Sequence, residues 1–168
     1  RKGGDSPPAA GIRMVDYGDL LSSKVDVAIL VCSVSQETGE GVTELAARRY
    51  PEMREAAQDL REARGAERAS AWMSDQPSDW LGKYVWTMHD GRILVMVYAQ
   101  CVSSSTTRKR ESRLDYRALA QALFTLQERL REQLEDLAPW VTVGIPRQGV
   151  FDAGANWEWV ERIMKTAW

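Results

Sequence analysis

The sequence predicts a three-layer α/β/α domain with a mixed central sheet, and three observations carry that expectation. Residues 25–32, VDVAILVC, make a continuous apolar run suited to a strand covered on both faces. Residues 83–89 and 92–100 flank Asp90-Gly91, the strongest hairpin-turn signal in the chain. Between residues 115 and 137, Leu119, Leu123, Leu126, Leu130, Leu134 and Leu137 recur at three- and four-residue spacing, the single apolar stripe of a helix that lies on a sheet. Strands and helices alternate at both ends around the hairpin, which is the pattern of an α/β domain.

The remaining elements follow in order. Residues 1–11, RKGGDSPPAAG, have no periodicity and read as a flexible leader, leaving 12–168 as one domain. A short strand is expected at 12–15, and a polar, glycine-bearing loop at 35–41 follows the buried strand. A helix over 42–50 should end at Pro51, because the residue before a proline is driven out of helical geometry. A second, heavily charged helix over 53–64 should stop near Gly65. Residues 69–73 read as a strand, 74–80 as a surface loop, and 103–113 as a polar, basic loop. Val141, Thr142, Val143 and Ile145 predict a strand over 140–145 that stops at Pro146, and a last helix spans 156–166.

Composition bounds the function. The 168 residues are 44% hydrophobic and 27% charged, enough for one domain with a proper core. A net charge of −2 gives no global basic field for nucleic acid. The local run Arg108-Lys109-Arg110 with Arg113 is a solvated loop or, alternatively, a phosphate or nucleic-acid contact. Cys32 and Cys101 sit in apolar, strand-like runs and read as reduced thiols of an intracellular protein. No apolar run approaches the roughly 20 residues that span a membrane, and no signal-peptide pattern occurs. Most of the seven tryptophans are expected in core and edge packing, with one or two left for stacking on adenine or a nucleobase. The single histidine, His89, precedes the hairpin turn and reads as an exposed turn residue rather than a general base. One histidine and two scattered cysteines do not make a zinc site, so neither metal nor cofactor is expected. No Ser-His-Asp set is suggested by spacing either.

The stretch 141–161 carries the most functional information. It runs from a strand, through a loop punctuated by Gly149 and Gly154, to a helix start at Asn156-Trp157. That arrangement turns backbone N–H groups and a helix dipole toward a bound phosphate. Gly39 and Gly41 bracket Glu40 just ahead of another helix, where glycine allows positive φ and close approach to a pyrophosphate. Glu40 opposes this, since a carboxylate repels a diphosphate unless it points to solvent.

Four segments, in order, resemble the macrodomain family of ADP-ribose-binding proteins: YGDLLSSKVDVAILVCSVS (17–35), TGEGVTELAARRYP (38–51), HDGRILVMVYAQ (89–100) and IPRQGVFDAGANWEWV (145–160). Their order and spacing are most similar to the branch of the terminal ADP-ribose protein glycohydrolase and the bacterial DNA ADP-ribosyl glycohydrolase antitoxins. The resemblance implies that Asp19, with Leu20 beside it, accepts a hydrogen bond from the adenine amino group. Asp19 also reads as a cap on a short helical turn, and both roles are compatible. The resemblance further implies that Gly39, Gly41 and Val42 form one phosphate loop and Gly149, Val150, Phe151, Asp152 and Ala153 the other, with Ser33 (or Ser35) near a ribose. The ligand would lie across the carboxyl ends of the strands, the usual place in open α/β sheets.

The departures bear on catalysis. Phe151 stands where the family has a glycine, either flanking the ribose or narrowing the cleft. The glycohydrolase branch keeps a catalytic Asp where direct count gives Ala153, and a one-residue loop shift would return that role to Asp152. Its catalytic lysine aligns with Gln100 or Cys101, and Lys109 lies in the loop beyond. The asparagine-rich loop of other branches is replaced by VCSVSQ. The family's strand after the last helix has no counterpart before Trp168, which suits a piece of a larger protein. Three functions remain open. They are a monomeric module that binds ADP-ribose or ADP-ribosylated macromolecules, an ADP-ribosyl hydrolase using Asp152, and a macro-fold interaction domain without ligand.

Overall fold

The computed structural model describes residues 20–33, 41–68, 80–100, 114–134, 141–147 and 155–168. Its elements are β1 (Val27–Ser33), α1 (Gly41–Arg49), α2 (Pro51–Arg68), β2 (Tyr84–His89), β3 (Arg92–Gln100), α3 (Tyr116–Leu134), β4 (Val143–Gly144) and α4 (Trp157–Ala167). The strands form one mixed sheet in the order β2-β3-β1-β4. β1 runs parallel to both β3 and β4, and β2 pairs antiparallel with β3.

Alternation along the two central strands divides the core into two layers, because successive side chains point to opposite faces. Val27, Ile29 and Val31 of β1, with Ile93, Val95, Val97 and Ala99 of β3, face α3 and α4. Ala28, Leu30 and Cys32, with Leu94, Met96 and Tyr98, face α1 and α2. The apolar stripe of α3 (Ala118, Leu119, Ala122, Leu123, Leu126, Leu130) is buried against the first of these faces. On the other face, Ala46 of α1 and Met53 and Ala57 of α2 are buried at helical spacing. The three-layer α/β/α expectation with a mixed sheet therefore holds.

Asp90 and Gly91 have φ of 49° and 74°, the pair of positive values that a two-residue turn between twisted strands requires. Pro51 separates the first two helices as expected but opens α2, a position where its missing N–H costs no hydrogen bond. Three expectations are corrected. α2 runs through Gly65 to Arg68, since one glycine costs a helix only about 1 kcal/mol when its earlier turns are packed. The strand expected over 140–145 shrinks to Val143–Gly144, paired with Val27 and Ala28. The last helix begins at Trp157, with Asn156 as its cap rather than its first residue. The expected strands at 12–15 and 69–73, the leader, and Cys101 lie outside the described residues.

Ahead of the β1–β4 ladder, Asp26 and Thr142 hold the two strand starts together. The Thr142 backbone N–H (2.8 Å) and hydroxyl (2.7 Å) both donate to Asp26 Oδ2, and the N–H groups of Asp26 and Val27 donate to the Thr142 carbonyl, each at 3.0 Å. Asp26→Ala is expected to lower unfolding free energy by about 1–2 kcal/mol, discounted from a buried pair because the site is exposed. A urea melt with an unchanged midpoint would contradict this role for the pair.

Candidate functional site

The carboxyl edge of the parallel strands is where the starts of α1, α3 and α4 gather. α1 runs back along the sheet. Its last residue, Arg49, donates to Ser22 Oγ (3.0 Å), and Tyr50 Oη donates to the Leu21 carbonyl (3.1 Å), both just before β1 begins. The opposite end of α1, Gly41, is thus placed toward the end of β1. α3 starts where β3 finishes. Gln100 bridges Leu114, and the Asp115 N–H donates to the Ala99 carbonyl (2.7 Å). Asp115 then caps the helix, its Oδ1 accepting from the Ala118 N–H at 2.9 Å. α4 joins the same edge, since the Asn156 N–H donates to the Tyr116 hydroxyl (2.7 Å). Asn156 Oδ1 accepts from the Glu158 N–H (2.9 Å) and caps α4.

The β1–β3 register shifts between Cys32 and Ser33, so Cys32 pairs with Tyr98 and Ser33 with Gln100. The residue passed over is Ala99, whose carbonyl receives Asp115. Such irregularities commonly re-aim the chain beside a binding site. Arg147, just after β4, stacks over the Trp157 ring at 5.7 Å, and Arg162 over the exposed Trp159 at 5.8 Å. The rim is therefore aromatic and cationic, with three helix N-termini directed at it.

Among the residues proposed for the ligand, Leu20, Ser33, Gly41 and Val42 are described. Ser33 closes β1, and Gly41 and Val42 open α1, so the two sides of the first loop stand at this edge. Leu20 packs against the other side of the sheet end: a Cβ on Gly144 would lie 2.5 Å from Leu20 Cδ1 and 3.2 Å from Val25 Cγ1. Glycine at 144 lets the 20–25 segment close onto β4 two residues before Pro146, where the second loop departs. Leu20 and the entry to that loop are thereby brought together. Asp19, Gly39, Gly149, Val150, Phe151, Asp152 and Ala153 lie outside the described residues.

At the opposite, amino-terminal edge an open cavity of about 450 Å³ is lined by Leu21, Ser22, Arg49, Tyr50, His89 and Arg92, among others. Its polar groups join elements to one another. The exposed-turn reading of His89 is corrected here: its Nδ1 pairs with Glu52 Oε1, and its ring meets Tyr50 edge-on at 4.7 Å. The Glu52 carboxyl is held below the ordinary carboxylate range first by a backbone hydrogen bond at the start of α2 and then by His89. A carboxyl depressed in the folded state contributes stability above its unfolded pKa and loses it as pH falls through the folded value. Glu52→Gln, which stands in for the protonated carboxyl, is accordingly expected to lower stability slightly on the neutral plateau and to leave it unchanged at the acid end, so that the acid limb flattens. Urea midpoints measured through the acid range check this, and an unaltered acid limb contradicts it.

Sequence reading missed Arg92, whose guanidinium donates to three main-chain carbonyls, those of Val25 (3.0 Å), Leu21 (2.7 Å) and Leu20 (3.1 Å). No local pattern marks an arginine at a hairpin end for contacts some 70 residues away. Among the described residues no three His, Cys, Asp or Glu side chains gather as a metal site, and no helix is long and apolar enough to cross a membrane.

No protein-family model matches the chain, and no curated protein matches it. Solved structures do. A macrodomain protein from Streptomyces coelicolor superposes with a TM-score of 0.58 at 21% identity, over 89% of this chain and 86% of that one. The DarG macrodomain of Mycobacterium tuberculosis gives 0.61 at 21% identity, over 94% and 90%. This chain has the macrodomain fold. The DarG macrodomain of Thermus aquaticus gives 0.56 at 17% identity, over 89% and 85%, so the resemblance extends to two DarG macrodomains. Within the macrodomain fold, the edge that gathers Ser33, Gly41 and the start of α4 is the carboxyl side of the parallel strands, the side on which open α/β sheets bind ligands.

Proposed function

We propose that this macrodomain binds ADP-ribose, free or attached to a macromolecule, across the carboxyl ends of β1, β3 and β4. The observation that carries the reading is the start of α1. It opens on Gly41 directly after the glycine loop, with no side chain at that residue to keep a diphosphate from the helix N-terminus. In this reading Asp19 and Leu20 hold the adenine side. Gly39, Gly41 and Val42 face the pyrophosphate from one loop and Gly149 to Ala153 from the other, with Ser33 near a ribose.

Binding without turnover is the proposed activity. β3 ends in Gln100, and the resemblance places a catalytic lysine at Gln100 or Cys101, neither of which offers a primary amine to attack an anomeric carbon. The buried Cys32 thiol suits a reducing, intracellular setting for a module of this kind. Calorimetric titration of the protein with ADP-ribose is the test. Saturable heat is expected, whereas no heat at millimolar ligand would leave a macro-fold interaction domain. Release of ADP-ribose from a modified protein or DNA would overturn the binding-only reading, and its loss in Asp152→Ala would assign that residue.

A further inference from the structure

We propose that Arg92 is a positioning residue for the adenine side of the site, acting at a distance through the 20–25 segment. The inference rests on the reading of Asp19 and Leu20 as the adenine contacts. Its ground is geometric. Arg92 stands at the first position of β3, immediately after the Asp90-Gly91 turn, and its Nε, Nη1 and Nη2 each donate to a different carbonyl of one short segment. The half-buried guanidinium forms no ion pair among the described residues, so its charge-assisted hydrogen bonds all go to that main chain.

The same segment has other ties, among them Arg49 to Ser22 Oγ (3.0 Å). The Leu20 carbonyl also accepts from the Ser23 N–H (3.3 Å) and hydroxyl (2.6 Å), which closes a turn, and the Leu21 carbonyl accepts from Tyr50. On the far side, the Leu20 side chain seats on Gly144 of β4. Arg92 therefore fixes the segment to the β2–β3 hairpin while Leu20 fixes it to β4, and both constraints converge on the residue next to Asp19. A planar fork reaches three diverging carbonyls; the compact ammonium of lysine does not. Arg92 opens β3, at the opposite edge of the sheet from Ser33 and the start of α1, so it positions without touching the diphosphate.

The test compares ADP-ribose with inosine diphosphate ribose, in which a carbonyl replaces the adenine amino group, by calorimetry on the whole chain. Wild type is expected to prefer ADP-ribose, because a carboxylate accepts from the amino group and repels the carbonyl. In Arg92→Lys and Arg92→Gln that preference should fall by about fivefold or more, the scale of one mispositioned hydrogen bond, with near-ultraviolet circular dichroism retained. Leu130→Ala, which weakens the layer on the other face, should lower stability and leave the preference unchanged. An intact preference in both Arg92 variants, or an equal loss in Leu130→Ala, overturns the positioning role. Wild type that binds both ligands equally overturns it too while preserving ADP-ribose binding, and wild type that binds neither removes both readings.

Discussion

Leu123→Ala is expected to lower the unfolding free energy by about 3 kcal/mol, within the range of about 2–5 kcal/mol for truncating a fully buried leucine. Leu123 is 0% exposed and belongs to the layer in which α3 covers β1 and β3. Leu119 and Leu126, its neighbours along the stripe, are equally buried, so the space left by the truncated side chain cannot be refilled by a small shift of one neighbour. The adjacent Phe124 provides the control, because at 42% exposure it points away from this layer. Phe124→Ala should cost less than about 1 kcal/mol. Urea midpoints for the two variants would settle the matter: equal losses would mean that α3 does not present the face described.

As the proposed ligand of the folded chain alone, ADP-ribose at a hundredfold excess over its Kd is expected to stabilise the protein by about 2.7 kcal/mol. A rising thermal midpoint with ligand concentration is the readout. Asp19→Ala should weaken binding by about 10- to 100-fold, the cost of removing a charged hydrogen-bond partner. The ligand-dependent shift in midpoint would shrink correspondingly at fixed ligand. Full retention of affinity in this variant would contradict the placement of adenine beside Asp19 and Leu20, though not ADP-ribose binding itself.

Elements that depend on neighbours along the chain are legible in the sequence. The Asp90-Gly91 hairpin is a local matter of positive φ, and the α3 stripe is a local matter of helical period. The alternating burial of β1 also follows from its unbroken apolar run, which only a strand with two covered faces can accommodate. β4 is shorter than its residues suggest for a different reason. β-Branched residues at 141–145 favour extended backbone, but the length of a ladder depends on the partner strand, and here only Val27 and Ala28 pair with it. Thr142, a strand residue by type, instead joins Asp26 ahead of the ladder. His89 departs from the exposed-turn expectation because its partners, Glu52 and Tyr50, belong to the junction of two helices far earlier in the chain.

The candidate site divides along the same line. Its glycines, the acid at position 19 and the helix starts are matters of residue type and spacing, and they suffice to suggest a macrodomain. The departures at Phe151, Ala153 and Gln100 are equally visible, because each is a residue identity at a counted position. What the sequence by itself determined, then, is the layering, the hairpin and the macrodomain-like fold, since local period and residue chemistry encode all three. Only the tertiary structure decided that Gly144 admits Leu20 against β4, that Ala99 is passed over in the register and its carbonyl receives the start of α3, and that Arg92 binds carbonyls of the 20–25 segment. Each of these is a contact between segments distant along the chain, and the geometry that makes it exists only once the sheet has assembled.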